Sequence, residues 1–591
     1  MQDTRRRRRR RRRRRSGAPV ILTILLIAVL CGAFGAKVFL DKYSYSKEKA
    51  DLNEYFSIRS GNDVPIVWGN VLSDVRALMI DGRYYIPFRD VRTNLNSRFY
   101  YGYLDANDTV GAVMYCLPTQ RVQTIVGSTA IQTGANSEEA GYIPAMRVGE
   151  QLYLALDFVK RYTNFTYEVF QEPARIQLVS SFGTQTVAEV TKDTQVRVSG
   201  GIKSEILTEA EKGHRVVILE QMESWSKVRT DNAFIGYIEN KRLSDPETIQ
   251  ESAPAGFEAP QYTSKSLGTK VNLAFHNLGA AGGNSTVYSY MAPTKGVNVV
   301  APTWFWVSSS FGDITSFAQQ DYVDWVHSQG KQVWAVVDNI NSKTRIDGLG
   351  KLPGDDTGEF LDTLATRTNL INQLIGQATT YGIDGINVDF EQLTENHGQG
   401  YIEFIRELSI ACRNNNLFLS VDNYPPYEYN RFYDLREQGV FCDYVIIMGY
   451  DEHYIGSDEA GSVASIGYVA DGIHNAQTMV PSTKLVNAVP FYSRIWKTTG
   501  TQVTSEAHGM QDIRDYIAAH NMSVTWSAEA GQNYAEVREG DTLIQIWVED
   551  AQSIAQKIDV MRTANIAGIA EWRLDFETPD VWDVIAAYSA E

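Results

Sequence analysis

The C-terminal half of the chain alternates short apolar runs with longer amphipathic segments. Eight apolar runs follow one another at 271–275, 297–307, 332–337, 385–390, 417–421, 444–448, 485–489 and 568–572. Between them, residues 317–328, 361–381 and 401–414 carry apolar side chains every three or four positions, as in helices packed on one face. Eight strands alternating with helices predict a closed (β/α)8 barrel, a TIM barrel, over residues 268–591. An open doubly wound sheet would also alternate, but no G-x-G-x-x-G follows the first run.

The region before the barrel has shorter, strand-like periods. In residues 61–182 the segment 81–92 is partly repeated at 149–160, each copy reading as a hairpin followed by a short helix, which predicts a duplicated α+β stalk domain. Residues 183–245 contain about five short strands and predict a small β-barrel. Residues 246–267, rich in proline, serine and glutamate, form the predicted linker. The chain is therefore multidomain.

The N-terminus carries an apolar stretch behind a block of positive charge. Residues 19–36 contain no charged side chain, and eleven consecutive arginines, Arg5 to Arg15, precede them. This length is just sufficient to cross a bilayer, and the charge asymmetry predicts a cytoplasmic N-terminus. We therefore predict a poly-arginine tail at 1–18, a transmembrane anchor at 19–40 and a juxtamembrane stalk at 41–60. A cleaved signal peptide is the alternative.

Charge and composition then exclude several functions. The net charge of −16 includes the arginine block, so the remainder is more acidic still, and binding of nucleic acid is not expected. The four cysteines show no C-x2-C spacing, so we expect no metal and no cofactor. Cys412 and Cys442 are either buried free thiols or one disulfide. His276 and His453 have no companion ligands in sequence and are interpreted as hydrogen-bonding residues.

The fourth apolar run contains the most closely spaced candidate catalytic residues. Residues 384–391 read Asp-Gly-Ile-Asn-Val-Asp-Phe-Glu. Because strand side chains alternate between two faces, Asn387, Asp389 and Glu391 are expected to share the barrel interior. Burying such groups costs several kcal/mol unless they satisfy one another or take part in chemistry. Glu391 ends the run at the mouth, where repulsion from Asp389 and partial desolvation favour a protonated general acid.

This run resembles the D-x-x-D-x-D-x-E signature of glycoside hydrolase family 18, which contains chitinases and endo-N-acetylglucosaminidases. Further matches follow in order: Met448-Gly-Tyr-Asp451 resembles the M-x-Y-D motif of the sixth strand, Pro490-Phe-Tyr-Ser-Arg494 follows the seventh run, and Trp572 lies in the eighth. The resemblance covers residues 268–591 and is greatest to the spore-cortex and wall-associated branch.

The resemblance implies a retaining, substrate-assisted mechanism. Glu391 would protonate the glycosidic oxygen, Asp389 would orient the acetamido group of the sugar, and Tyr450 would hydrogen-bond its carbonyl. Trp572 would form the floor beneath the sugar. The same resemblance implies supporting or substrate-contacting roles for Asp384, Met448, Asp451 and Arg494.

One position departs from the signature. Asn387 stands where the common pattern has a carboxylate, so Asp389 cannot share a proton with a residue below it as in many chitinases. We expect Asn387 to donate a hydrogen bond to Asp389 and to keep Asp389 ionised. Activity should then persist, and the acidic limb of its pH profile should be simpler or shifted. The wall-associated branch tolerates the same change.

Aromatic residues near the ends of other runs are candidate sugar platforms. Trp304, Trp306 and Trp334 lie near the second and third runs, and Tyr424 follows the fifth. An aromatic face suits the apolar face of a pyranose. The alternative interpretation is that each of these aromatic side chains is buried in the hydrophobic core.

Two other segments have resemblances of their own. Residues 183–245, with Trp225-Ser-Lys-Val228 and Gly236-Tyr-Ile238, resemble the bacterial Src-homology-3-like module, which implies either wall binding or a spacer. Residues 61–182 loosely resemble the N-terminal stalk repeat of some copper amine oxidases, without copper ligands, which implies a spacer or binding module.

Together these features predict a membrane-anchored glycosidase at the cell surface, with the body outside the plasma membrane. Its partner would be a glycan containing N-acetylglucosamine, either peptidoglycan or chitin oligomers, cut at β-1,4 bonds. The rival hypothesis is a non-catalytic scaffold that only binds wall glycan. Exo or endo action and oligomeric state are left open.

Overall fold

The computed structural model describes residues 18–340 and 358–591. Within these ranges the chain divides into two compact units. One unit combines the residues up to 90 with residues 154–257, and the other combines residues 91–153 with residues 258–591. Residues 61–182, predicted as a single stalk domain, are thus shared between the two units.

The first unit begins with the helix Ala18–Tyr43. Its segment Val20–Tyr43 has a mean hydropathy of 2.4 and is not buried against the rest of the chain. By length and composition alone, this helix is able to cross a membrane.

A mixed sheet follows in the same unit. Asp63–Trp68 pairs in parallel with Arg175–Val179 and antiparallel with Val71–Ile80. Arg83–Pro87 pairs antiparallel with Val71–Ile80, and Thr166–Phe170 pairs antiparallel with Arg175–Val179. The strands Arg83–Pro87 and Gln151–Ala155 are followed directly by the short helices Phe88–Asn94 and Leu156–Lys160, as the internal repeat predicts. Other short elements before the barrel are Leu52–Tyr55 and Ala145–Val148.

The small β-domain of this unit has a core built from alternating residues. Val196, Val216, Val228 and Ile238 are buried from four different strands, because every second side chain of each strand points inward. Its strands are Thr184–Glu189, Thr194–Arg197, Ile206–Ala210, Arg215–Gln221, Trp225–Thr230, Ile235–Glu239 and Glu247–Gln250.

The second unit contains the predicted barrel. Eight parallel strands pair in order, and the eighth pairs with the first, so the sheet is closed. The strands are β1 Val271–His276, β2 Val299–Pro302, β3 Gln332–Asp338, β4 Gly385–Asp389, β5 Phe418–Asn423, β6 Tyr444–Met448, β7 Leu485–Pro490 and β8 Gly568–Trp572. The prediction of a TIM barrel is confirmed.

Helices cover the outside of the barrel. The helix Leu364–Tyr381 has clear signals at both ends: Thr363 accepts a hydrogen bond from the Thr366 amide at its start, and Gly382 ends it at a φ of 70°. The helices are α1 Val287–Tyr290, α2 Gln320–Ser328, α3 Leu364–Tyr381, α4 Glu395–Asn414, α5 Leu435–Phe441, α6 Ile466–Gln477, α7 Ala551–Ala564 and α8 Val581–Ser589. Short 3-10 turns add Ala281–Thr286, Glu359–Leu361, Glu428–Tyr433 and Ser482–Lys484.

The two faces of the strands divide as the alternation predicts. Ile386, Val388 and Phe390 of the fourth strand region pack among the helices. Trp334 and Val336 of β3 belong to the separate cluster inside the barrel. The polar positions of β4 therefore face inward.

The second apolar run differs from its prediction as one strand. It is split into β2 and the strand Phe305–Val307, which forms a hairpin with Ile314–Ser316 and also pairs with β3.

A subdomain that the alternation did not predict lies between β7 and α7. It is an antiparallel five-stranded sheet with one helix, Met510–Ala519. Its strands are Tyr492–Thr499, Gln502–Gly509, Ser523–Ser527, Gln532–Glu539 and Thr542–Val548. We call it the insertion sheet.

Residues 100–139 form an antiparallel meander that packs on α3 and α4. Its strands are Tyr100–Gly102, Ala112–Cys116, Arg121–Ile125, Ala130–Thr133 and Asn136–Glu139. The guanidinium of Arg367 on α3 is fully buried and donates to both carboxylate oxygens of Glu407 on α4, at 2.8 and 3.2 Å. Arg121 of the meander reaches the same carboxylate at 3.4 Å. The meander is therefore joined to the barrel through buried charge as well as apolar contact.

Candidate active site

The predicted site lies at the carboxyl end of β4, the face of a barrel on which catalytic groups collect. Asp389 is the last residue of β4, and Glu391 follows it by two positions with a half-buried side chain. Asp389 is level with Asp338 at the end of β3. The mouth of the barrel thus brings Glu391 and two further carboxyl groups together.

Glu391 is fixed through its backbone by Asn339, just after β3. The Glu391 amide donates to Asn339 Oδ1 at 2.8 Å, and Asn339 Nδ2 donates to the Glu391 carbonyl at 2.9 Å. Asn339 is completely buried. Because both bonds involve main-chain groups of Glu391, the position of its Cα is set independently of its charge.

The side chain of Glu391 is held by Tyr424, which follows β5. The Tyr424 hydroxyl donates to Glu391 Oε2 at 2.5 Å, the short distance expected of a charge-assisted bond. Burial, followed by the Glu391 carboxyl, raises the pKa of Tyr424 far above its usual range, so the phenol keeps its proton as a donor. Tyr424 was predicted as a sugar platform, and the structure places its hydroxyl on the candidate acid.

Asp389 lies in a strongly negative environment. Burial, then the carboxyls of Glu391, Asp422 and Asp338, raise the pKa of Asp389 well above its usual range. Its Oδ1 atom is buried and has no hydrogen-bond partner within residues 18–340 and 358–591. A buried acceptor of this kind is available to a donor from a ligand or from a protonated neighbour.

Asn387 does not form the hydrogen bond expected of it. Its Nδ2 donates to Ser420 Oγ and to Asp422 Oδ1, each at 3.0 Å, and both acceptors belong to β5. The prediction of a bond from Asn387 to Asp389 is wrong, because the two side chains are stacked along one strand and the amide reaches sideways to the neighbouring strand. Asp422, which the sequence reasoning missed, is 3% exposed.

Tyr450 lies two residues beyond β6, on the same mouth. It is half-buried, and burial, then Tyr492 and the carboxyls of Asp389, Asp422 and Glu391, raise the pKa of Tyr450 well above its usual range. It therefore stays a neutral hydrogen-bond donor close to these carboxyls. Met448, the last residue of β6, is buried below it.

Trp572 ends β8 and borders the same opening. Its ring is half-buried and lies 5.6 Å, centroid to centroid, from the ring of Phe275 on β1. The Trp572 carbonyl accepts a hydrogen bond from the Phe491 amide at 2.7 Å. An indole that is fixed on one side and partly open on the other can present a face to a sugar.

Asp451 connects the barrel with the insertion sheet, in which Arg494 lies. Asp451 accepts a hydrogen bond from the Tyr492 hydroxyl at 2.6 Å. Arg494, two residues further along the same strand, is half-buried and donates from Nη1 to Ser505 Oγ at 3.3 Å. The bond between Tyr492 and Asp451 joins the insertion sheet to the barrel beside Tyr450.

Asp384 lies at the opposite end of β4. Its carboxylate accepts hydrogen bonds from the Val333 amide at 2.8 Å and from His327 Nε2 at 2.7 Å. Seven residues of extended chain, at about 3.3 Å each, separate it from Glu391. Asp384 therefore joins β3, β4 and α2 and does not reach the mouth.

The predicted tryptophan platforms are core residues. Trp304 is completely buried, and its indole N–H donates to Asn284 Oδ1 at 2.8 Å. Trp334 is also completely buried, inside the barrel, and Trp306 is 7% exposed. The prediction of Trp304 as a substrate-binding residue is wrong, because none of its surface is open to a ligand.

The histidines and cysteines have structural partners or surroundings. The two ring nitrogens of His276 contact the hydroxyls of Tyr322 and Thr286, both at 2.9 Å. Nδ1 of His453 lies 2.8 Å from the Ser462 carbonyl. Cys412 and Cys442 are buried free thiols, which decides between the two alternatives. In the part of the chain that the structure describes, no group of three or more His, Cys, Asp or Glu residues could hold a metal ion.

Comparison with known proteins agrees with this geometry. A family model described as "Glycosyl hydrolases family 18" matches residues 236–577, and one described as "Bacterial SH3 domain" matches residues 192–244. The chain is 26% identical over 264 residues to the cortical fragment-lytic enzyme of Bacillus subtilis (strain 168), covering 43% of this chain and 59% of that protein. The chain thus spans less than two thirds of this relative's length.

Two solved structures are among those to which this chain is similar. A chitinase from Chromobacterium violaceum ATCC 12472 has a TM-score of 0.47 at 23% identity, covering 55% of this chain and 99% of that one. The Bacillus cereus spore cortex-lytic enzyme SleL has a TM-score of 0.48 at 20% identity, covering 57% of this chain and 77% of that one.

Proposed function

Because this chain belongs to family 18 of the glycosyl hydrolases, we propose that it is a glycosidase that cuts β-1,4 bonds next to N-acetylglucosamine by retaining, substrate-assisted catalysis. The observation that carries the proposal is the placement of Glu391. Its main chain is held by Asn339 and its carboxyl by Tyr424, at the mouth of the barrel and beside Asp389 and Tyr450.

In the first step, the Glu391 carboxyl gives its proton to the glycosidic oxygen. The carbonyl oxygen of the sugar's own 2-acetamido group attacks the anomeric carbon, and the bond to the leaving sugar breaks. This forms a cyclic oxazolinium that carries the positive charge. The Glu391 carboxylate then takes a proton from water, whose oxygen opens the ring, so the anomeric configuration is retained.

Asp389 and Tyr450 act on the acetamido group during this step. Oδ1 of Asp389, which has no partner among the described residues, is a suitable acceptor for the acetamido N–H, and the negative charge of Asp389 stabilises the oxazolinium. Tyr450, whose raised pKa keeps it neutral, donates to the acetamido carbonyl. Trp572 supports the sugar ring from below, and Met448, Asp451 and Arg494 hold the surrounding walls.

We propose a bacterial wall glycan as the natural substrate, with chitin oligomers as substitutes. Similarity to a cortical fragment-lytic enzyme supports peptidoglycan. The bacterial SH3 module supports it too, because its open polar cavity of about 580 Å³, bordered by Trp225 and Arg197, is suited to holding a polar polymer. The stalk resemblance of residues 61–182 remains a prediction of a spacer or binding module.

The N-terminal helix supports a membrane anchor. A stretch of 24 residues with a mean hydropathy of 2.4 is long enough to cross a bilayer, and the preceding arginines favour a cytoplasmic N-terminus. We therefore propose a single-pass protein of the plasma membrane whose barrel acts outside the cell.

The second candidate function is a scaffold that binds wall glycan without cutting it. The same SH3 module favours this alternative, whereas the retained Glu391, Asp389 and Tyr450 favour hydrolysis. The two differ in a single measurable property, the release of new reducing ends.

The experiment is digestion of purified peptidoglycan and of chitin oligomers by the full chain in detergent, with the reducing-end sugar identified by mass. Glu391→Gln preserves the shape of the side chain and removes its acid, whereas Glu395→Gln changes an exposed carboxylate at the start of α4 and is the matched control. We expect N-acetylglucosamine reducing ends from the wild type and from Glu395→Gln, and a loss of at least about 10²-fold in Glu391→Gln. Glycan binding without cleavage by the wild type would establish the scaffold instead.

A further inference from the structure

Three carboxyl groups form a row across the mouth, on three neighbouring strands. Asp338 of β3 pairs in register with Asp389 of β4. On the other side, Asn387 pairs with Ser420 and Val388 with Val421, so Asp389 is level with Asp422 of β5. Because side chains at the same level of adjacent parallel strands share one face, all three carboxyls point into the same part of the barrel.

Asp422 is the member of this row that Asn387 fixes. The Asn387 amide donates to Asp422 Oδ1 at 3.0 Å and is held at the same time by Ser420 Oγ. An amide that donates to Oδ1 leaves Oδ2 as the oxygen able to carry a proton. The sequence has asparagine at the second acidic position of the signature, and the structure places a carboxyl beside that position on the neighbouring strand.

The groups that face Asp422 and Asp389 are negative or neutral. From β4 they are Glu391 and Asp389 itself, and from β3 Asp338. From α4 and the loop after β6 they are the phenols Tyr401 and Tyr450, whose pKa values are raised by burial and partly by these carboxyls. Like charges this close cannot all be ionised, so at least one proton is shared among them.

Asp422 and Asp389 share that proton. Burial raises the pKa of both acids, that of Asp389 well above its usual range and that of Asp422 to about 8, where the Asn387 amide opposes the rise and Glu391 adds to it. A sugar acetamido N–H that donates to Asp389 favours the ionised form of Asp389 and so leaves the proton on Asp422. Asp389 has a buried Oδ1 without a donor among the described residues. A neutral acid beside an unpartnered carboxylate oxygen is a hydrogen-bond donor beside an acceptor.

We propose that Asp422 is a positioning residue of the active site, a neutral carboxylic acid that donates its proton as a hydrogen bond to the Asp389 carboxylate and keeps Asp389 ionised and aimed at the sugar. The catalytic part of this proposal rests on the proposed glycosidase function. The proton stays on Asp422 throughout, so no bond is made or broken at this residue. Asp422 thereby takes, from the next strand, the place that Asn387 leaves empty.

The test compares Asp422→Asn with Asp422→Ala in the full chain. Asparagine copies the protonated acid, because its amide can donate to Asp389 at every pH while its carbonyl accepts from Asn387. Near pH 6, Asp422→Asn should keep kcat/KM within about threefold of the wild type, whereas Asp422→Ala should lose on the order of 10²-fold through misplacement of Asp389.

The decisive readout is the ratio of kcat/KM for Asp422→Asn to that of the wild type as a function of pH. Because Asp422 also faces Glu391, the ratio is read above the pH at which Glu391 has lost its proton in both proteins, where that loss no longer changes the ratio. Above about pH 8 the wild type should lose its donor and the ratio should rise by about tenfold per pH unit. A ratio that stays flat to about pH 10, or an Asp422→Asn variant as inactive as Asp422→Ala, would overturn the proposal.

A second readout does not depend on activity. Subtracting the infrared spectrum of Asp422→Asn from that of the folded wild type should leave the carbonyl band of a protonated carboxylic acid near neutral pH. At alkaline pH this band should be absent from the difference spectrum. A wild type that shows this band but cleaves no glycan would contradict the proposed function alone. A wild type that cleaves glycan but lacks the band would contradict the role of Asp422 alone.

Discussion

The hydrogen bond from Tyr424 to Glu391 gives a prediction whose size follows from the structure. Tyr424→Phe removes one hydroxyl and retains the ring, which packs edge-on against Tyr433 at 6.3 Å between centroids. The lost bond, 2.5 Å long, is made to a carboxyl group at a half-buried site. Hydrogen bonds to charged groups contribute about 1.5–3 kcal/mol, which equals about one to two pH units at 1.36 kcal/mol per unit.

The sign follows from the direction of donation. The Tyr424 hydroxyl stabilises the ionised form of Glu391, so removing it favours the protonated form. The alkaline limb of kcat/KM should therefore move up by about one pH unit or more, while the maximal rate falls by about tenfold because the carboxyl is less well oriented.

The assay is release of a chromophore from an N-acetylglucosamine oligomer over about pH 4 to 10, by the full chain. Tyr429→Phe is the matched control, since Tyr429 belongs to the same loop and is 73% exposed. An alkaline limb that stays in place in Tyr424→Phe, or moves down, would refute the reasoning.

Three further predictions concern the rest of the second unit. Arg367→Met leaves Glu407 buried without its main partner, and should lower the free energy of unfolding by about 3–5 kcal/mol in denaturant titration; an unchanged midpoint would show that the pair contributes nothing. Trp304→Ala should lower it by about 3–5 kcal/mol without raising KM of the folded protein, whereas a raised KM would restore Trp304 as a sugar platform. Burial lowers the pKa of His276 to about 4. Between about pH 6.5 and 4 the unfolded chain therefore binds a proton at this histidine that the folded chain does not bind. The wild type should therefore lose about 3 kcal/mol more than His276→Gln as pH falls from about 6.5 to 4, and parallel pH dependences would contradict this.

The barrel was predictable because its strands and helices have different periods. The alternation along residues 384–391 also predicted which side chains face the interior, since only one register buries Ile386, Val388 and Phe390 under the helices. The position of Glu391 at the mouth follows from the direction in which β4 runs. The same direction places Asp384, seven residues earlier, at the opposite end of the barrel.

Contacts between strands were harder to predict, because they depend on register across the sheet. The fifth apolar run was taken to end at Val421, whereas β5 continues to Asn423 and so includes Asp422. The inward alternation of Ser420 and Asp422 was the available signal. Asn339 had no such signal, because its bonds are made to main-chain atoms of a residue 52 positions away.

Burial of single aromatic residues could not be read from local pattern. Trp304 lies within the second apolar run and Trp572 ends the eighth, yet Trp304 is buried with its N–H bonded to Asn284, whereas Trp572 is half-buried. The meander was likewise grouped with the stalk, because its salt bridges to α4 join residues almost 290 positions apart.

The most direct test of the central claim is the ratio of kcat/KM for an N-acetylglucosamine oligomer to that for a glucose oligomer of equal length and linkage. If the acetamido carbonyl is the nucleophile and Glu391 its acid partner, the ratio should be on the order of 10⁴ or more, and Glu391→Gln should abolish the faster reaction. Comparable cleavage of both oligomers, or hydrolysis that survives Glu391→Gln, would contradict the account.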